Sequence, residues 1–310
     1  MKHRLQNKIA GSKFTLPLTS IIVSAAWLVA WQASASDLLL PFVLLGISAY
    51  MMVFLNNHHV LMRTYSRMAS CSLLVLSTLV ICFQQEWQNG ITTISTLACY
   101  LFLFEAYQNR EGMGLIFGGY AAIGTLSMIH PQVVFYVPLL WVLTQSRLMA
   151  LSLRNFFASL FGLIMPYWLL LGWVAFQGDW EVIEIQTKRL ATFIQSFSLE
   201  WWTPESLIPV SFIALLYLTG SLHYMRASHY DNIKTRMIYK FFIIMGGFTL
   251  LFMLLQPQHT PWLSMMLIVN TAPLIAHFFA YTYTRFTNIM FVVIVALAAA
   301  ITAYSIWNIS

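Results

Sequence analysis

Charge is what this chain has least of: 8% of its 310 residues are Asp, Glu, Lys or Arg, against about 25% in an ordinary soluble domain. With 59% of the residues hydrophobic, a soluble fold would lack the polar surface to cover them. Cysteine is also scarce. Cys71, Cys82 and Cys99 lie in or beside apolar blocks with neither CxxC nor metal-ligand spacing, which argues against a disulfide framework and a structural metal. HExxH, Walker A, GxSxG and Cys/His metal patterns are missing, so no common catalytic signature is present. The net charge of +6 is carried by single basic residues between apolar blocks. A nucleic-acid partner would need a basic stripe with interleaved aromatics, so none is expected.

What the chain has in abundance is apolar blocks of about 16 to 22 residues, near the ~20 that a helix needs to cross ~30 Å of hydrocarbon. Period-2 alternation, the mark of a membrane barrel, is not seen. The blocks predict eleven helices, over 15–33, 38–55, 68–84, 91–107, 113–129, 132–146, 156–176, 206–223, 240–256, 262–282 and 288–306. The expected fold is an all-α integral membrane protein of about eleven transmembrane helices, one polytopic domain over 1–310. Pro131 and Pro138 make 132–146 the block whose full span is least secure.

Basic residues in short loops resist translocation. A cytoplasmic N-terminus places Lys2, Arg4, Lys8, Lys13, Arg63, Arg67, Arg110, Arg147, Arg154, Arg226, Lys234, Arg236, Lys240 and Arg285 inside, and only Lys188 and Arg189 outside, fourteen against two of the sixteen. An odd number of spans then puts the C-terminus outside. Ala33-Ser34-Ala35 resembles a signal-peptide cleavage site, but the apolar run before it is about 19 residues long and ends on Trp27 and Trp31, so it is read as a retained span.

One long external segment is expected, 177–205. Within it Ile183, Leu190, Phe193, Ile194, Phe197 and Trp201 recur at helical spacing among polar residues, which predicts an amphipathic surface helix near 180–202. The loop 224–239 holds Arg226, His229, Asp231, Lys234 and Arg236 and reads as a solvated anchor facing anionic lipid.

Polar groups near or within hydrocarbon are the candidates for chemistry. On the outer face Asp37, Glu86, His130 and His259 lie in short loops. Converging at the mouth of the bundle, they would suit general-base chemistry, and these four are the candidate catalytic residues. Asn270 and His277 flank Pro273 at helical spacing and, with Glu105 near a cytoplasmic helix end, are the candidate substrate-binding residues. Gly114 and Gly118 form a GxxxG face suited to close helix approach or a membrane partner. No metal site is expected.

The stretch Glu105-Ala106-Tyr107-Gln108-Asn109-Arg110, through Gly118 to His130-Pro131-Gln132 and on to Ser152-Leu153-Arg154-Asn155-Phe156-Phe157 and Met165-Pro166-Tyr167-Trp168, resembles an uncharacterised family of polytopic bacterial inner-membrane proteins. The resemblance is strongest over 105–168. It implies a multi-pass protein of the bacterial inner (plasma) membrane and carries no activity with it.

Three functions follow as expectations. The first is envelope biogenesis on a lipid-linked, polyprenyl-type glycan, suggested by many helices, an acid after the first helix and an external amphipathic helix. The second is a small-solute transporter or flippase, suggested by the Asn270, Pro273, His277 stripe. The third is a non-catalytic subunit of an envelope complex. Membrane lipid is a partner in all three.

Overall fold

The structure, a computed structural model, describes residues 4–34, 38–178, 188 and 203–308. Among them are twelve α-helices and no strand: α1 Leu5–Gly11, α2 Thr15–Ala33, α3 Leu39–His58, α4 Met68–Leu79, α5 Trp87–Glu105, α6 Met113–Ile129, α7 Val137–Ser146, α8 Leu153–Gln177, α9 Pro204–Ala227, α10 Ile233–Leu255, α11 Thr260–Tyr281 and α12 Arg285–Trp307. Each of the eleven apolar blocks holds a helix. Seven of these, α2, α3 and α8 to α12, are long and apolar enough to cross a membrane, so the chain is a multi-pass membrane protein by length and composition.

The other four blocks depart for local reasons. The block at 68–84 is α-helical only to Leu79, and Ile81–Gln85 tightens into a 3-10 turn. In α5 the residues Gln88, Asn89, Thr92, Thr93, Ser95 and Thr96 dilute the apolar content. α6 keeps its expected limits but runs only 17 residues. The block at 132–146 splits into a 3-10 segment, Pro131–Tyr136, and the ten-residue α7. Each piece carries proline in its first turn, where a missing N–H costs nothing, whereas a helix running through Pro138 would lose a backbone bond.

The chain forms two compact units, residues 1–94 with 199–310, and 95–198. The first is organised on α11, which is buried along nearly its whole length. α11 packs against α4, α9, α10 and α1, and α4 in turn carries α2, α3 and α12. α9 passes close to α11 at Gly220, where a Cβ would sit 3.0 Å from backbone of Leu274, just beyond Pro273. The second unit is built on the pair α6 and α8. Gly124 lies against the Leu163 carbonyl and Gly162 against that of Phe117. Close approach of α6 and α8 is made at Gly124 and Gly162. Gly118 packs under Phe102, and a Cβ on Gly114 would meet nothing within 4 Å.

Loops gather at both ends of the first unit. At one end, Gln6 Nε2 donates to Thr282 Oγ1 at 3.0 Å and the Thr64 N–H donates to Tyr281 Oη at 3.1 Å. Helix α1, the 59–67 segment, the 228–232 turn and the 282–284 turn therefore share that end. At the other, Gln84 Nε2 lies 3.7 Å from Met265 Sδ and Ser305 Oγ donates to the Leu79 carbonyl at 2.7 Å. Every described Lys and Arg of this unit (Arg4, Lys8, Lys13, Arg63, Arg67, Arg226, Lys234, Arg236, Lys240 and Arg285) lies at or near the first end, and of its three described acids Glu86 and Glu205 lie at the second and Asp231 at the first.

Candidate functional site

The strongest polar constellation of the first unit centres on Asp231, in the turn between α9 and α10. Its side chain is 1% exposed. Arg63 Nε lies 2.8 Å from Oδ1 and His277 Nε2 lies 3.2 Å from Oδ2. Arg63 comes from the α3–α4 connection, 39% exposed, and its guanidinium stacks over Tyr281 at 4.5 Å. His277 is fully buried on α11.

The local sequence explains how the three meet. Val60 takes a left-handed conformation, φ 48°, which is costly for a β-branched residue. Leu61 N–H closing on the Asn56 carbonyl at 3.2 Å and Asn56 Nδ2 donating to the Ser66 carbonyl at 3.0 Å hold this turn. It carries Arg63 back over the ends of α9 and α11. Asp231 follows the 3-10 turn Ser228–Tyr230 and precedes α10, so its carboxylate hangs beneath that turn.

An aromatic wall surrounds the pair. The rings of Tyr224, Tyr239, Tyr281 and His223 lie 4.9, 5.3, 4.6 and 5.6 Å from the His277 ring, and Tyr224 stacks on Tyr239 at 4.2 Å. Tyr239 Oη donates to the Pro273 carbonyl at 3.5 Å. Two buried ring nitrogens in this cluster have no hydrogen-bond partner, Nδ1 of His277 and Nε2 of His223. Such atoms are expensive to bury and rare without a purpose. Burial alone would raise the Asp231 carboxyl, but the His277 hydrogen bond, the His277 charge and Arg63 prevail and hold it below the ordinary carboxylate range.

The sequence-predicted residues are distributed as follows. Asp37 lies outside the described residues, as does the 180–202 helix apart from Lys188. Glu86 is exposed at the start of α5, its carbonyl accepting from the Asn89 N–H at 3.1 Å. His259 closes the 3-10 turn before α11, with its ring 5.8 Å from that of Trp262. His130 ends α6 in the second unit, and Glu105 is exposed at the end of α5. Among the described residues no hydrogen bond or ion pair joins Glu86 to His259. Asn270 is fully buried but donates to the Met266 carbonyl of its own helix at 2.7 Å. Of the seven, His277 is the one in the cluster.

Asp231 itself is a correction, since it reads as part of a solvated loop and is instead buried. One signal was available. It is an acid in an otherwise basic loop at the cation-rich end, where nothing topological calls for one. No family model, curated protein or solved structure matches the chain.

Proposed function

We propose that the chain is a proton-linked carrier for a small or lipid-linked solute, with Asp231 and His277 as its protonatable pair. The observation that carries this reading is a buried carboxylate, in the turn at the cation-rich end of the first unit, paired with a fully buried imidazole on α11. Burying such a pair costs several kcal/mol per ion before any attraction is counted, and buried ionisable residues of membrane proteins characteristically serve ion or proton pathways. Arg63 on the second carboxylate oxygen keeps Asp231 paired when a moving helix parts it from His277. Pro273, which leaves the Val269 carbonyl without its backbone donor, and the close pass of Gly220 beside it supply the weakened ladder and tight packing that a moving helix uses. This reading is preferred to an enzyme on a polyprenyl-linked glycan because the paired acid and imidazole among the described residues are Asp231 and His277.

The accompanying topology is eleven crossings of a bacterial inner membrane, N-terminus in the cytoplasm and C-terminus outside. Its support is the concentration of basic residues at one end of the first unit, which positive-inside orientation would place in the cytoplasm. A reporter fused after Trp307 should be active only outside, and cytoplasmic activity would overturn the orientation.

Carrier activity is tested by solid-supported-membrane currents from proteoliposomes across a panel of solutes under a pH step. Solute-dependent currents that vanish in His277→Ala and Asp231→Asn, with insertion intact, are expected. Currents unchanged in both variants would sink the reading.

A further inference from the structure

Helices α2 and α3 both pack on α4 yet leave a groove between them of about 420 Å³. Leu74 of α4 lies at its floor, Ser20 of α2 and Tyr50 of α3 line its walls, and Arg67, the residue preceding α4, stands at one end. At the other end the rings of Trp27 and Phe42 meet at 5.7 Å and close it. The middle is open because of Gly46, where a Cβ would meet nothing within 4 Å. Ser20 donates to the Leu16 carbonyl at 2.9 Å, so its hydroxyl is satisfied within α2 and the groove offers an apolar wall at that point.

Length and charge together select an occupant. Along α2 the lining runs from residue 16 to 24 and along α3 from 42 to 53. At about 1.5 Å per residue this is roughly 12 to 16 Å, about one leaflet of a ~30 Å hydrocarbon core. Arg67 lies at the end that holds the basic residues of this unit, and its Nε–H donates to Tyr65 Oη at 2.7 Å, which orients the guanidinium. A planar guanidinium is well matched to phosphate. We propose that the groove binds one acyl chain of an anionic phospholipid, from the leaflet at the cation-rich end, with the lipid phosphate on Arg67. The site rests on the chain's membrane character and is independent of carrier activity.

The test is native mass spectrometry of the full chain in detergent, titrated with phosphatidylglycerol or phosphatidylcholine of the same chain length. Wild type should retain one phosphatidylglycerol in preference to phosphatidylcholine. Gly46→Leu, which fills the groove at an open helical position, should lower retention of both by roughly tenfold. Arg67→Gln should cut the preference for the anionic lipid by about fivefold, the weight of one cation beside a charged headgroup, and should lower phosphatidylcholine retention less, because the choline cation offsets the charge of the same phosphate. Equal retention by wild type and Gly46→Leu, or a preference surviving in Arg67→Gln, overturns the site. A lipid-free dimer that Gly46→Leu dissociates also overturns it and assigns the groove to a second copy. If Gly46→Leu fails to insert, wild type with phosphatidylglycerol carrying a photoreactive acyl chain decides. Adducts within residues 16–24 and 42–53 support the site, and adducts confined elsewhere overturn it.

Discussion

Arg63 and His277 grip different oxygens of one carboxylate, the first at 2.8 Å from Oδ1 of Asp231 and the second at 3.2 Å from Oδ2. Their roles are unequal, because His277 is wholly buried and Arg63 reaches the surface. Water can partly replace the guanidinium but not the imidazole. His277→Ala should therefore destabilise the protein more than Arg63→Gln. The double variant should lose more than the sum of the two, approaching the ~3–5 kcal/mol typical of a stranded buried charge. Chemical unfolding of the four proteins in one detergent measures the cycle.

Acid should reveal the same site. The Asp231 carboxyl is held low in the folded chain, below the ~3.9 of an unfolded one, so unfolding takes up a proton. The stability this contributes is fully present above about pH 4 and is lost as pH falls through the lower folded value. Melting temperatures followed downward from pH 6 should drop below that point in wild type, and the drop should be shallower in Asp231→Asn.

Glycine substitutions separate packing from helix propensity. At Gly124 and Gly162 a Cβ would press on backbone oxygen of the facing helix, so alanine there should cost about 1–3 kcal/mol. At Gly114, with open space around the position, alanine should be neutral or stabilise by up to about 1 kcal/mol through helix propensity. Resistance to unfolding in a graded detergent mixture distinguishes them.

Val60 is exposed and left-handed, with φ 48°. Replacement by glycine or asparagine, which accept that conformation, should raise stability by about 1 kcal/mol. The signature would be a higher melting temperature with the Arg63 contact to Asp231 retained.

Helix existence was legible because hydropathy in blocks is a long-range, averaged signal. The limits of α2 and α6 were read to the residue. Termination was less legible where it depended on local geometry, as in the 3-10 segment Pro131–Tyr136. His277 could be singled out as a polar group on an apolar helix. Asp231 stands out in sequence as an acid in a basic loop, but its burial does not, because that depends on the Val60 turn and the ends of three helices distant in sequence. Asn270, on the same helix, is fully buried and donates to the Met266 carbonyl.

The nesting of one unit inside the other governs how the protein is made. Residues 95–198 are continuous, whereas the first unit resumes only after them. α4 emerges from the ribosome long before α11, the helix it packs against. Throughout that interval the nascent first unit has its early helices in place and no centre. α4 can pack on α2 and α3 as soon as it is made, but its face toward α11 stays uncovered until the chain is nearly complete.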